Sequence, residues 1–251
     1  MGTYSGLLLC SDFDGTLAHE GRVSDANAKA IRRFQAGGGR FTLATGRYPS
    51  ILEDTRDRFT CNAPLVSMNG AILYDAEKKQ VLYEGRMRRP YFETLREIDR
   101  SCEGILEYIF CPADFWQGVS VLPKDEDGMK AMFDRPLYKI LVHVDETRSD
   151  EIKKTVEELS GKGYAISRSW INGVEIQEDH YDKGLTARRL AELLRADQLI
   201  CIGDYENDIP MLKAADLAVA MGSAPDSVKR EAHRVTAAAA EDGFARFLES
   251  L

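Results

Sequence analysis

The sequence lacks several features that mark other classes of protein. No CxxC pair occurs among its five cysteines, Cys10, Cys61, Cys102, Cys111 and Cys201, so we expect no structural disulfides. No apolar run approaches the ~20 residues of a membrane span. The N-terminus has no basic segment of the kind that begins a signal peptide. We therefore expect a cytoplasmic protein with no membrane partner.

Long basic runs are also missing. The 41 acidic residues outnumber the 33 basic ones and give a formal net charge of −8, which argues against nucleic acid as the main partner. A chain of this charge needs a cation or a local basic pocket to bind an anionic metabolite. Its 251 residues suffice for one large domain or two modest ones.

Short apolar runs alternate with helical patterns at both ends of the chain, as in GLLLCSD at 6–12, RFTLATG at 40–46 and QLICIGD at 198–204. Such strands, separated by helices, predict a parallel sheet covered on both faces. In the middle, strands alternate apolar and polar residues as antiparallel strands do, and Asn172-Gly173 predicts a two-residue hairpin turn. We therefore predict an α/β core built from residues 1–83 and 181–251, with an α+β domain inserted at residues 84–180.

Four of the strand-like runs end in polar or charged residues. These ends contain Asp12-Phe13-Asp14-Gly15-Thr16, Thr45-Gly46-Arg47, Ser67-Met68-Asn69-Gly70, and Asp204 with Asn207 and Asp208. Ligands bind outside the carboxyl ends of the strands in an open parallel sheet. We therefore expect the four ends to converge on one rim.

The residues of this rim are suited to phosphoryl chemistry. Asp12 and Asp14 alternate along an extended chain and so face the same side. Thr45 and the amide of Gly46 can donate to an anion, and Lys183 adds positive charge at a predicted helix N-terminus. Together these groups indicate phosphoryl transfer through an aspartyl-phosphate. The all-oxygen cluster best suited to Mg²⁺ comprises Asp12, Asp14, Asp204 and Asp208.

The motifs, in this order and spacing, resemble those of the haloacid dehalogenase (HAD) superfamily of phosphotransferases. They are DFDGTL at 12–17, TGR at 45–47, DKG at 182–184 and GDYENDIPML at 203–212. The inserted domain is similar to the type-two (IIB) cap of the Cof-type sugar-phosphatase branch. The resemblance implies a Rossmann-like core with a mobile cap, and a Mg²⁺-dependent phosphatase of small phosphorylated metabolites, sugar phosphates above all.

The resemblance also implies a role for each motif residue. Asp12 is expected to be the nucleophile, and Asp14 the general acid that later acts as base. Mg²⁺ is expected to bind the Asp12 carboxylate, the Asp14 backbone carbonyl and Asp204. Asp208 is expected either to bind the ion directly or to lie beside one of its ligands. The phosphoryl oxygens are expected to contact Thr45, Gly46, Lys183, Asn207 and the amide of Phe13.

Two rim residues have alternative interpretations. Arg47 either contacts the substrate or pairs with an acidic neighbour. Asn69 either lines the rim or forms the Asn-Gly turn into the next hairpin, and the turn is slightly favoured. The run Gly37–Gly39 follows a helix and predicts the end of that helix, not a phosphate cradle.

Three other functions stay open from the sequence alone. One is a sugar phosphomutase of the same superfamily, which returns the phosphoryl group to its substrate. Another is a receiver-like module that stores the phosphoryl group on aspartate, although Asp14 as a built-in acid and base argues against it. The third is a non-catalytic sensor of sugar phosphates. The sequence leaves the substrate and the oligomeric state undecided, and a monomer is compatible with it.

Overall fold

The protein is described here by a computed structural model that covers residues 2–87 and 91–251. The chain divides into two compact units: the first combines the chain up to Glu84 with Tyr181–Leu251, and the second comprises Gly85–His180. The domain expected at residues 84–180 includes Arg88, Arg89 and Pro90, which lie outside the described residues, as does Met1 in the expected core.

The elements follow one another in a regular order. The first stretch of unit one contains β1 (Leu7–Ser11), β2 (Ala18–His19), β3 (Arg22–Val23), α1 (Asp25–Ala36), β4 (Arg40–Leu43), α2 (Ile51–Thr55), β5 (Leu65–Ser67), β6 (Ile72–Asp75) and β7 (Gln80–Glu84). Unit two contains α3 (Phe92–Ser101), β8 (Ile105–Pro112), β9 (Val119–Val121), α4 (Glu126–Phe133), β10 (Leu137–Val144), α5 (Ser149–Ser160), β11 (Tyr164–Trp170) and β12 (Gly173–Glu178). Unit one then resumes with α6 (Lys183–Leu194), β13 (Gln198–Gly203), α7 (Ile209–Ala214), β14 (Leu217–Ala220), α8 (Asp226–Lys229), β15 (Arg234–Val235) and α9 (Gly243–Glu249).

The central sheet of unit one is parallel, with strand order β15-β14-β13-β1-β4. Its two faces bury separate apolar clusters. Leu9 and Ile202 point into one cluster, whereas Leu8 and Cys201 point into the other. Burial on both faces explains why these strands are apolar throughout. The predicted α/β fold with a parallel sheet and an inserted α+β unit is confirmed.

β5, the strand that precedes Asn69 and Gly70, does not belong to the central sheet. β5 pairs antiparallel with β6 in a separate three-stranded sheet, β5-β6-β7. It touches the end of β4 through an isolated parallel bridge between Ala44 and Val66. In the turn after β5, Met68, Asn69 and Gly70 all have positive φ angles and lead the chain directly into β6. β5 is therefore not a strand of the central sheet, but its end lies beside that of β4.

Unit two contains one antiparallel sheet, in the order β11-β12-β10-β8-β9. The sequence did not predict α4, a short helix with Gly128 inside it that buries Met129 and Met132. The predicted hairpin joins β11 and β12, but its two-residue turn begins one residue before the predicted Asn172. Trp170 pairs with Gly173, so Ile171 and Asn172 form the connection and Gly173 belongs to the strand.

The helix α1 illustrates how local sequence sets an element. Ser24 caps it by accepting a hydrogen bond from the Asn27 amide at 3.1 Å. Ile31 and Phe34 on one face are buried in the apolar cluster. The helix ends at Gly37, whose N–H donates to the carbonyl of Arg33, as the glycine run predicts.

We expect Ser24→Ala to lower the free energy of unfolding by about 1 kcal/mol, since the variant loses the capping oxygen. Ser50→Ala is the matched control: Ser50 occupies the same position before α2 but makes no side-chain cap bond. Urea denaturation of both variants checks this. Equal effects of the two substitutions would contradict the assignment of the cap.

Candidate active site

The turn after β1 is shaped by contacts with the end of β13. The Asp12 amide donates to the carbonyl of Ile202 at 2.9 Å. Gly15 has φ +81, and a Cβ there would lie 2.3 Å from Asp204 Oδ2, so this position requires glycine. Thr16 Oγ1 donates to Asp204 Oδ1 at 2.7 Å. The first motif thereby fixes the orientation of a carboxylate 188 positions further along the chain.

Lys183 lies at the centre of the site. It begins α6, whose N-cap Asp182 accepts from the Leu185 amide. Its side chain is fully buried, and Nζ donates to Asp12 Oδ1 at 2.7 Å and to Asp208 Oδ1 at 2.6 Å. One ammonium therefore joins the first and fourth motifs.

Three carboxylates gather around this ammonium. One oxygen each from Asp12, Asp204 and Asp208 lies within 4.8 Å of the other two. Asp208 is fully buried, and its Oδ2 accepts from the amides of Asp204 (2.9 Å) and Tyr205 (3.2 Å). When all three carboxylates are ionised, one ammonium leaves two negative charges in this largely buried place. An all-oxygen set with this charge suits a hard divalent cation such as Mg²⁺.

The titration of these groups reflects the crowding of charge. Burial raises the pKa of Asp12 well above its usual value, Lys183 opposes this, and Asp208 and Asp204 add to it. Burial, followed by the charge of Asp208, raises the pKa of Asp204 to about 7. Burial alone disfavours a charged Lys183, but the adjacent Asp12 and Asp208 carboxylates outweigh it and raise the Lys183 pKa. The ammonium is therefore charged at neutral pH.

The Asp14 carboxylate is not one of the three clustered carboxylates. It is half-exposed and accepts two hydrogen bonds from Arg47, Nε to Oδ2 and Nη2 to Oδ1, both at 2.7 Å. The expectation that Asp12 and Asp14 face one side stays a prediction, since β1 ends at Ser11 and the following residues form a turn. Of the two interpretations of Arg47, pairing with an acidic neighbour is the one observed. Phe13, between the aspartates, buries its ring.

A second polar group lies at the turn after β5. The Asn69 amide donates to the carbonyl of Thr45 at 2.9 Å, and Asn207 Nδ2 approaches Asn69 Oδ1 at 3.4 Å. Asn69 also adopts a left-handed conformation (φ 51), so the predicted Asn-Gly turn is observed, and a place on the rim stays a prediction. Gly70 follows with φ +92, where a Cβ would lie 2.0 Å from the Asp182 carbonyl oxygen. The turn thus packs against the start of α6.

The structure brings most of the predicted rim residues into two groups and a pair. The first group contains Asp12, Lys183, Asp204 and Asp208. The second group contains Thr45, Asn69 and Asn207. The pair is Asp14 with Arg47. Gly46 connects Thr45 to Arg47 in the chain. Sequence reasoning missed the bond from Thr16 to Asp204, for which the sequence carries no local signal.

Comparison with known proteins agrees with this architecture. A family profile of haloacid dehalogenase-like hydrolases matches residues 9–248. The chain is similar to a 5-amino-6-(5-phospho-D-ribitylamino)uracil phosphatase of Bacillus subtilis, with 25% identity over 95% of this chain and 93% of that protein. It is also similar to a pyridoxal phosphate phosphatase of Escherichia coli, with 26% identity over 97% of both. A solved HAD subclass IIB sugar phosphatase shares the fold, with a TM-score of 0.77, 21% identity, and coverage of 97% of this chain and 98% of that one.

The fold and the site define a hydrolase with an acidic centre at the strand ends of a parallel sheet. The chain belongs to the haloacid dehalogenase-like hydrolases, within the predicted Cof-type branch. The predicted enzyme class, a HAD-type phosphatase, is confirmed. Among the described residues, no helix has the length and apolar character that crossing a membrane requires.

We expect Lys183→Met to lower the free energy of unfolding by about 3 kcal/mol or more in metal-free buffer at neutral pH, because it leaves buried carboxylates without their counter-charge. Lys213→Met is the control, since the exposed Lys213 pairs with Glu231 at 3.6 Å and should change stability by about 0.5 kcal/mol or less. Chemical denaturation measures both. A loss below about 1 kcal/mol for Lys183→Met would contradict the importance assigned to this ammonium.

Proposed function

We propose that this protein is a Mg²⁺-dependent phosphomonoester hydrolase that acts on small phosphorylated metabolites through an aspartyl-phosphate on Asp12. The observation that carries the proposal is the buried Lys183, which bonds Asp12 and Asp208 beside Asp204. A carboxylate held by a fixed ammonium, next to an all-oxygen cation site, is suited to attack on a phosphate ester.

Asp12 is the proposed nucleophile. Lys183 binds its Oδ1, and we propose Oδ2 as the oxygen that attacks phosphorus and displaces the alcohol. Asp14, two residues away and half-exposed, is the proposed general acid for the leaving alcohol. It then serves as the base that accepts a proton from the water that hydrolyses the aspartyl-phosphate.

The donor set fits Mg²⁺, and Asp12 and Asp204 are the carboxylates that we propose to hold it, with the backbone carbonyl of Asp14. When bound, the cation would neutralise charge that develops on the phosphoryl oxygens. Both oxygens of Asp208 already accept bonds from Lys183 and from two backbone amides. We therefore assign Asp208 to orienting Lys183 and the Asp204 loop rather than to direct coordination.

The phosphoryl oxygens need several donors besides the cation. We propose that Lys183 contributes the positive charge and that the second polar group contributes neutral donors. The proposed neutral donors are the Thr45 hydroxyl, the amides of Phe13 and Gly46, and the Asn207 side chain. The bond between Asn69 and Thr45 supports this arrangement, because it fixes the turn that carries Thr45.

The substrate class is proposed from the relatives. The names of the similar phosphatases refer to a phosphorylated ribitylaminouracil, pyridoxal phosphate and sugar phosphates, which are all small phosphomonoesters. Sugar phosphates are our first choice. We propose that the second unit, Gly85–His180, is the cap of the family and selects the leaving group. A sugar phosphomutase and a sugar-phosphate sensor are the alternatives to hydrolysis.

We expect the purified protein to release inorganic phosphate from at least one of a panel of sugar phosphates, phosphoglycolate, pyridoxal phosphate and flavin mononucleotide. Release should require Mg²⁺ and fall by at least about 10³-fold in Asp12→Asn, which removes the nucleophile. Asp25→Asn is the control, since Asp25 is an exposed residue of α1. Wild-type rates in Asp12→Asn would exclude the proposed nucleophile.

The same panel separates the alternatives. Phosphoryl exchange that requires a sugar bisphosphate would favour the mutase. Tight binding without turnover would favour the sensor.

We expect Thr16→Val to raise the Mg²⁺ concentration for half-maximal activity by about 10-fold or more, since residues that orient metal ligands have effects of this size. The variant keeps the shape of the side chain but loses the hydroxyl that donates to Asp204. Thr42→Val is the matched control: Thr42 is equally buried, and its hydroxyl donates to the carbonyl of Pro64. A Mg²⁺ titration of phosphate release measures both, and equal shifts would contradict the role of Thr16.

A further inference from the structure

The pair formed by Asp14 and Arg47 has a more exact geometry than an ordinary surface ion pair. Nε and Nη2 of Arg47 each donate to a different oxygen of Asp14, both at 2.7 Å. This fork-to-fork arrangement fixes the plane of the carboxylate as well as its position. It forms although both side chains are about half-exposed, at 49% and 51%, where a single contact would leave the carboxylate free to rotate.

The backbone of Arg47 is held by hydrogen bonds at both its N–H and its carbonyl group. Its backbone N–H donates to Thr45 Oγ1 at 3.2 Å. Its carbonyl accepts from Ser67 Oγ at 2.6 Å and from the Met68 amide at 3.1 Å. The residue is therefore anchored to the end of β4 and to the turn after β5.

The guanidinium also has a second contact. Its central carbon lies 5.4 Å from the centre of the Phe13 ring, a cation–π arrangement. Phe13 is buried directly between the two aspartates of the first motif. Arg47 thus reaches the first motif through the Phe13 ring and the Asp14 carboxylate, and two of its five donor hydrogens are used on Asp14.

We propose that Arg47 is a positioning residue for Asp14, and that its task lies in the second half of the reaction, hydrolysis of the aspartyl-phosphate. The inference rests on the proposed function. Arg47 holds Asp14 as an oriented carboxylate whose remaining lone pairs can accept a proton from water. This role differs from direct phosphate binding, the other one that the sequence suggested for Arg47.

The step that Arg47 assists balances without a further reactant. The oxygen of water attacks the phosphorus of the aspartyl-phosphate and forms the new P–O bond. The bond between phosphorus and Asp12 breaks, and its electron pair returns to the Asp12 carboxylate. One proton of the water passes to Asp14, and inorganic phosphate is released. Arg47 changes no bond of its own.

The two possible roles of Arg47 predict different kinetics with p-nitrophenyl phosphate. Its phenolate leaves without needing a proton, so formation of the aspartyl-phosphate does not require Asp14 as acid. The ratio kcat/KM reports the steps up to departure of the phenolate, whereas kcat also includes hydrolysis of the intermediate. Loss of a positioning residue for the hydrolytic base lowers kcat and KM together. Loss of a phosphate ligand raises KM and lowers kcat/KM.

We expect Arg47→Met to lower kcat and KM for p-nitrophenyl phosphate in parallel, by about tenfold to a hundredfold. The variant keeps Asp14 and should therefore lose only part of the rate enhancement that general acid–base catalysis provides. The ratio kcat/KM should stay within about threefold of wild type. A burst of p-nitrophenolate, equal to the enzyme concentration, should precede the slow steady state. Arg47→Lys should recover part of kcat, because it keeps one charged donor but not the fork.

Two further variants complete the test. Arg58→Met is the control: Arg58 is half-exposed and pairs with Asp25 at 3.2 Å, and the variant should match wild type. In an Asp14→Asn background, Arg47→Met should cause no further loss of kcat, since Arg47 acts through Asp14. A raised KM with reduced kcat/KM, unchanged constants, or additive losses in the double variant would each overturn the inference. Wild-type protein that releases no phosphate, or an active Asp12→Asn, would instead overturn the proposed function itself.

Discussion

The contact between the buried ammonium of Lys183 and the carboxylates of Asp12 and Asp208 is the interaction on which the site depends. A charge without water around it is costly unless it is paired and hydrogen-bonded. Lys183 meets this condition with two bonds below 2.8 Å, and the carboxylates meet it through Lys183 and backbone amides. The surrounding turns are consequently constrained: Gly15, Gly70 and the loop after β13 must bring the chain close to these few atoms.

That constraint also accounts for the unusual backbone of the turn after β5. Met68, Asn69 and Gly70 take positive φ angles in succession, a costly conformation for the two residues with side chains. The turn brings Gly70 against the start of α6, at a distance that a Cβ would not permit. It also aligns Asn69 with Thr45. This strained turn therefore lies where three segments, distant in sequence, meet around the proposed phosphate site.

The charges of the site are divided between two environments. Asp12, Asp204 and Asp208 are crowded and largely buried, so burial and mutual repulsion govern their protonation. Asp14 lies in a half-exposed place and is fixed by Arg47. Two aspartates separated by one residue thus face different surroundings, and this supports the separate tasks proposed for them, nucleophile for Asp12 and acid–base for Asp14.

The sequence by itself determined the parallel sheet, the inserted unit and the identity of most rim residues, because apolar periodicity and short motifs are local properties. Tertiary structure decided what local pattern does not contain. Arg47 pairs with Asp14, the Asn69 amide bonds the carbonyl of Thr45, and Thr16 meets Asp204 across 188 positions. Each outcome depends on packing between distant segments, and only the folded chain brings those segments together.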